Sequence, residues 1–92
     1  MSRQRASEWK VSFDGPAARD LVRVPEHERD RLLRALDELT KGPFQPSVRK
    51  LRGRPEWRLR IGGRRALFLV DQDAKSILVT DIGSRGDIFK DD

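Results

Sequence analysis

The sequence predicts an α+β fold: one N-terminal strand, two helices, then a three-stranded antiparallel meander. Three observations carry this. Ninety-two residues are enough for one hydrophobic core and leave no room for a second. Alternating apolar runs occur near the start and throughout the second half, and between them lie two segments of helical spacing, each opened by a proline. Hydrophobic residues make up 36% and charged residues 38%, so the core is thin and the stability modest, with helices laid over one face of a sheet. One domain is expected over residues 1–92, its first eight residues forming a flexible N-terminus.

The elements follow in order. Trp9, Val11 and Phe13 alternate with Lys10 and Ser12, a short strand that ends at Asp14-Gly15-Pro16. From Pro16 to Val24, Ala17, Ala18, Leu21 and Val24 recur at helical spacing; Pro25 breaks this helix and can open the next. The second helix, Pro25 to Lys41, carries Leu32, Leu33, Leu36 and Leu39 on one stripe, with acids early and Lys41 at its end, as the macrodipole favours. Gly42-Pro43 stops it. After a proline-containing connection come the strands Glu56 to Ile61, Arg64 to Asp71 and Ser76 to Ile82, separated by Gly62-Gly63 and the polar turn Gln72 to Lys75. The sequence has no internal repeat and no low-complexity segment.

Composition removes several chemistries. The chain has no cysteine, which excludes disulfides, a thiolate nucleophile and Cys-based zinc sites, and fits a reducing cytoplasm. Met1 to Lys10 is charged without an apolar centre, and no run approaches a membrane span, so neither export nor a membrane partner is expected. His27, the one histidine, sits between Glu26 and Glu28 at a helix start and reads as a solvated surface residue. Asp87, Asp91 and Asp92 lack metal-ligand spacing, and no glycine pattern cradles a phosphate or dinucleotide. No metal or cofactor is expected.

Charge placement is more informative than the net charge of +5. Residues 48–65 hold Arg49, Lys50, Arg52, Arg54, Arg58, Arg60, Arg64 and Arg65 against Glu56 alone, while the rest of the chain is slightly acidic. Such a stripe concentrates phosphate ligands, so a nucleic acid is the leading partner. If Gly62-Gly63 is a two-residue hairpin turn, Arg60 faces Arg65. Trp57, Leu59, Ile61, Ala66, Phe68 and Val70 then share the helix-covered face, and Arg58, Arg60 and Arg65 share the other. Opposed like charges cost roughly 0.2–1 kcal/mol. A phosphate, or the charge-rich transition state of phosphoryl transfer, would offset that, because guanidinium groups present forked donors to its oxygens. Arg85 follows the last strand and reaches the same region if that strand neighbours the second of the three.

Lys50-Leu51-Arg52-Gly53, Trp57-Arg58-Leu59-Arg60-Ile61, Arg65-Ala66-Leu67-Phe68, Ile82-Gly83-Ser84-Arg85 and Asp87-Ile88-Phe89 resemble, in this order and spacing, the successive blocks of RelE-type toxins of the RelE/ParE superfamily. The resemblance runs from about Trp9 to Lys90. It implies a microbial RNase-like domain of a type II toxin-antitoxin system that cuts messenger RNA in the ribosomal A site without a metal. Its implied partners are a cognate antitoxin, the ribosome with its messenger, and operator DNA reached through the antitoxin. By position it implies a catalytic set of Arg58, Arg60, Arg65, Arg85 and Phe89, with Arg49, Lys50, Arg52 and Arg54 as RNA contacts. Two positions depart from the family pattern: arginines stand where RelE itself often has lysines on the strand before the hairpin, and Phe89 stands where a tyrosine is usual. Both departures weaken proton transfer and leave charge stabilisation and stacking intact. The alternative is a ParE-like toxin that inhibits DNA gyrase without catalysis; a third reading is a degenerate member that only binds antitoxin.

Overall fold

The structure, a computed structural model, describes residues 8–84. Strand β1 spans Lys10–Phe13, helix α1 Gly15–Arg23 and helix α2 Glu26–Glu38, which tightens into a 3₁₀ turn at Leu39–Lys41. Strands β2 (Val48–Lys50), β3 (Trp57–Ile61), β4 (Arg64–Asp71) and β5 (Ser76–Ser84) follow.

Local chemistry sets both helix starts and the break between them. Asp14 caps α1, its Oδ1 accepting from the Ala17 backbone N–H at 3.0 Å, and Pro16 occupies the first turn, where no hydrogen bond is lost. Val24 is extended (φ −73°, ψ 135°) because the following proline disfavours helical backbone there. Pro25 caps α2, and its carbonyl accepts the first helical bond from Arg29 N at 2.8 Å. Leu32, Leu36 and Leu39 are buried, whereas Leu33, expected on the same stripe, is 39% exposed. The spacing from Leu32 to Leu36 to Leu39 already turns the helix onto the sheet, and Leu33 lies one residue past that line.

The sheet has five strands in the order β1-β5-β4-β3-β2. β1 runs parallel to β5, Lys10 opposite Ser76 and Phe13 opposite Val79, and β2 to β5 form an antiparallel meander. The meander is one strand longer than the sequence suggested. β2 is only Val48-Arg49-Lys50, half-buried at Val48 and exposed at the two basic residues, so it carries no apolar alternation. It is held by its register to β3, Val48 opposite Leu59, Arg49 opposite Arg58 and Lys50 opposite Trp57.

Both helices lie on one face. Ala17, Val24, Leu32, Leu36 and Leu39 pack with Leu59, Ala66, Phe68, Ile77, Val79 and Ile82 of the sheet, and Trp57, Ile61 and Val70 join from the rim. Among the described residues no helix is long and apolar enough to cross a membrane.

Candidate nucleic-acid interface

The other face of the sheet carries the charge. Gly62, with φ +58°, supplies the left-handed turn residue that the β3–β4 hairpin needs, and the resulting register puts Arg60 opposite Arg65 and Ile61 opposite Arg64. Arg58, Arg60 and Arg65 therefore share the face away from the helices, as the alternation predicts. Pairing across the strands extends this into two rows, Arg49, Arg58, Leu67, Asp81 over four strands and Arg60, Arg65, Gly83 over three.

The two rows differ in cover. Arg58 is only 6% exposed, and beside it Leu51 (5%) and Leu67 (1%) form a second small apolar cluster. Leu51 belongs to the β2–β3 connection, which thus folds over the first row. The connection is closed by Leu51 N donating to Glu56 O at 3.0 Å, by Lys50 Nζ donating to the Arg54 carbonyl, and by an Arg54 Nε to Glu56 Oε1 ion pair of 3.3 Å. Burial holds the Arg58 guanidinium below its ordinary pKa, with Arg60, Arg65 and Arg49 adding repulsion. In the second row Arg60 is exposed and Arg65 half-buried. A cleft of about 300 Å³ opens on the Arg60 side, lined by Pro46, Ser47, Arg49, Arg58 and Arg60.

Arg49, Arg58, Arg60 and Arg65 are thus brought together. Lys50 is not among them: opposite Trp57, it lies in register with the helix-side face and is engaged by the Arg54 carbonyl. Arg52 is exposed on the β2–β3 connection. Arg64 turns toward α2, where its Nε donates to Glu28 Oε1 at 2.8 Å and ties the hairpin to the helix. That hydrogen bond lowers the Glu28 carboxyl pKa. His27, exposed, lines a cavity of about 260 Å³ beside this ion pair. Arg85 and Phe89 lie outside the described residues.

One ionisable group of the first row was not singled out from the sequence. Asp81 sits opposite Leu67 because β5 gains an extra residue there: Leu67 pairs with Asp81 but Phe68 with Val79, leaving Thr80 as a β-bulge. The mark in the sequence is the apolar spacing, Ile77 and Val79 followed by Ile82, which breaks the alternation. Burial raises the Asp81 carboxyl above its ordinary pKa, and Asp20 and Asp14 push it the same way; Arg54 and the Ile82 N–H act against them.

Comparison with solved structures recovers one fold. An archaeal RelE–RelB complex from Pyrococcus horikoshii aligns with 25% identity and TM-score 0.75 over 86% of this chain and 97% of that one. A RelBE toxin–antitoxin complex from Mycobacterium tuberculosis aligns with 23% identity and TM-score 0.76 over 87% and 94%. This chain has the RelE toxin fold. The isolated Escherichia coli RelE toxin shares it at 16% identity, TM-score 0.74, over 84% of each chain. No protein-family model and no curated protein sequence matches the chain. The fold places β1, the two helices and the last three strands as expected from the sequence and adds β2, and the arginine rows lie on the sheet face that the helices leave open.

Proposed function

We propose that this protein is a toxin that halts translation by cutting messenger RNA in the ribosomal A site, and that a cognate RelB-type antitoxin neutralises it in the cytoplasm. One observation carries the reading: on a RelE fold, Arg49, Arg58, Arg60 and Arg65 converge on one sheet face, and the first three line an open cleft.

The chemistry follows from that convergence. When a ribose 2′-oxygen attacks the adjacent phosphorus, negative charge builds on the non-bridging oxygens, and guanidinium groups meet it with paired donors in a fixed fork. Arg65, with Arg85 beyond the last strand, stabilises the phosphorane; Arg58 and Arg60 hold the flanking phosphates. Arg58, buried under the β2–β3 connection, still lines the cleft with Arg49 and Arg60. Arg49, Arg52 and Arg54 contact more of the RNA backbone, and Phe89 stacks on a base; Lys50, turned to the other face, drops out of the set that the resemblance implies. The ribosome supplies the in-line geometry. No resident metal or cofactor enters the reaction. The antitoxin presents acidic side chains to the arginine face and carries the complex to operator DNA.

The test is cleavage of a messenger on programmed ribosomes by purified protein, with fragment ends mapped. The expected products are a 2′,3′-cyclic phosphate and a 5′-hydroxyl; intact messenger at high protein concentration refutes the reading. A gyrase supercoiling assay run beside it separates the ParE-like alternative, which requires inhibition there and no cleavage.

A further inference from the structure

We propose that Asp81 is a catalytic residue, the carboxylate that accepts the 2′-hydroxyl proton when the RNA strand is cut. The inference rests on the RNA-cleavage reading and names a group that the reading lacks. Arginine is protonated at any working pH, so Arg49, Arg58, Arg60 and Arg65 stabilise charge but do not remove a proton.

Three observations place Asp81 where that proton leaves. By register it stands in the row of Arg49 and Arg58, and two residues from Gly83, which opposes Arg65. Asp81 and Arg65 are therefore diagonal neighbours on adjacent strands, a relation that sets such residues about 7–8 Å apart, a gap one phosphodiester group can bridge. Gly83 has no side chain to block that phosphate from the strand. The other carboxylate in register on this face, Asp71, is at the far end of β4, six residues and about 20 Å from Arg65. It caps the β4–β5 turn, accepting from Ala74 N at 3.0 Å. Glu56, on the covering connection, is engaged by Arg54.

The bulge is the second observation. Ile77 and Val79 face the core, and strict alternation would carry residue 81 into it. The extra residue, Thr80, whose hydroxyl donates to the Leu67 carbonyl at 3.5 Å, resets the phase so that Ile82 enters the core and Asp81 turns to the arginine face. Bulges re-aim side chains in this way beside active sites.

Environment is the third. Asp81 is half-buried, and burial, Asp20 of α1 and Asp14 at its cap disfavour its charge, while Arg54 of the β2–β3 connection and the Ile82 N–H oppose them. A carboxyl held above its ordinary range moves toward the value at which a general base works best near neutrality. In the step, the O2′–P bond forms as the O2′ proton passes to an Asp81 oxygen. The P–O5′ bond breaks, the departing 5′-oxygen takes a proton from water, and Asp81 returns its own proton to solvent.

The experiment is single-turnover cleavage on saturating programmed ribosomes, as a function of pH, for wild type, Asp81→Asn and Asp81→Glu, with melting temperatures of all three. Wild type should lose rate on the acid side through the Asp81 carboxyl pKa. Asp81→Asn should lose that acid limb and fall by about 10²–10⁴-fold, the usual contribution of a general base. It should melt no lower than wild type, since it removes a charge that Asp14 and Asp20 repel. Asp81→Glu should keep the limb and part of the rate, and it decides the matter if the asparagine variant does not fold. An asparagine variant that cuts at the wild-type rate, or cuts slowly with the acid limb intact, overturns the role of Asp81 while leaving the RNA-cleavage reading standing. Wild type that leaves the messenger intact overturns both.

Discussion

Replacing Arg60 by glutamine should make the protein more stable and less active at once. Arg60 is exposed, stands opposite Arg65 and is two residues from Arg58 on the same face, so its charge is surrounded by like charge in the folded state. Glutamine keeps most of the stem and a polar head while removing the charge. A directly opposed like pair costs roughly 0.2–1 kcal/mol, which for a chain of this size is a rise in melting temperature of about 1–6 °C. The rise should be largest at low salt and nearly vanish at 1 M, where the screening length falls to about 3 Å. Cleavage on programmed ribosomes should change the other way. A charge-assisted hydrogen bond to a phosphate contributes roughly 1.5–3 kcal/mol, so its loss slows the reaction about 10- to 150-fold at subsaturating ribosomes. Differential scanning calorimetry at two salt concentrations, with the cleavage assay on the same preparation, reads both signs. A variant that melts lower at both salts would show that the Arg60–Arg65 pair is not repulsive in the fold, and one that cuts at full rate would remove Arg60 from the phosphate contacts.

Arg65→Ala should cut cleavage by about 10²–10³-fold, the usual loss on removing a transition-state donor; undiminished cleavage would exclude it from the site. Gly62→Ala should destabilise the hairpin by about 1–2 kcal/mol, because the left-handed backbone at φ +58° disfavours a Cβ and that Cβ would lie 3.2 Å from Arg31 Nη2. Denaturant titration with an unchanged midpoint would contradict this. Glu28→Gln should lower the melting temperature at neutral pH by weakening the tie to Arg64. The Glu28 carboxyl pKa is lowered in the fold, so the stability it adds is present above its ordinary value of 4.5 and lost as pH falls through the folded value. The gap between variant and wild type should therefore close on acidification, and a gap independent of pH would point to packing instead of charge.

What the sequence shows of this fold is what period and turn chemistry fix. Gly62-Gly63 sets the hairpin register, and with the register fixed, Trp57, Leu59, Ile61, Ala66, Phe68 and Val70 go to one face and the arginines to the other. β2 is illegible by the same rule, since three residues reading valine, arginine, lysine have no alternation and gain their strand conformation only from the edge of β3. The burial of Arg58 is illegible for another reason: alternation assigns a face, whereas the cover comes from Leu51 docking on Leu67, sixteen residues away. Lys50 follows from the missed strand, because only its pairing with Trp57 shows that it leaves the arginine face.

Asp81 lies between these cases, and its placement could have been argued. Alternation from Ile77 and Val79 predicts a buried carboxylate at position 81, and an unpaired buried charge costs several kcal/mol. A strand of even phase would also leave Ile82 facing away from the helices. One inserted residue removes both penalties at the price of one disturbed pair in the β4–β5 ladder, and the bulge at Thr80 is that residue. The same shift brings Gly83 opposite Arg65, so the one place where the ladder is irregular is also where a carboxylate and an uncovered stretch of backbone meet the arginine rows. The hairpin thus supplies three of the four arginines of this face and the bulge the acid near them, which is why period-two reading of the strands recovers the first and misses the second.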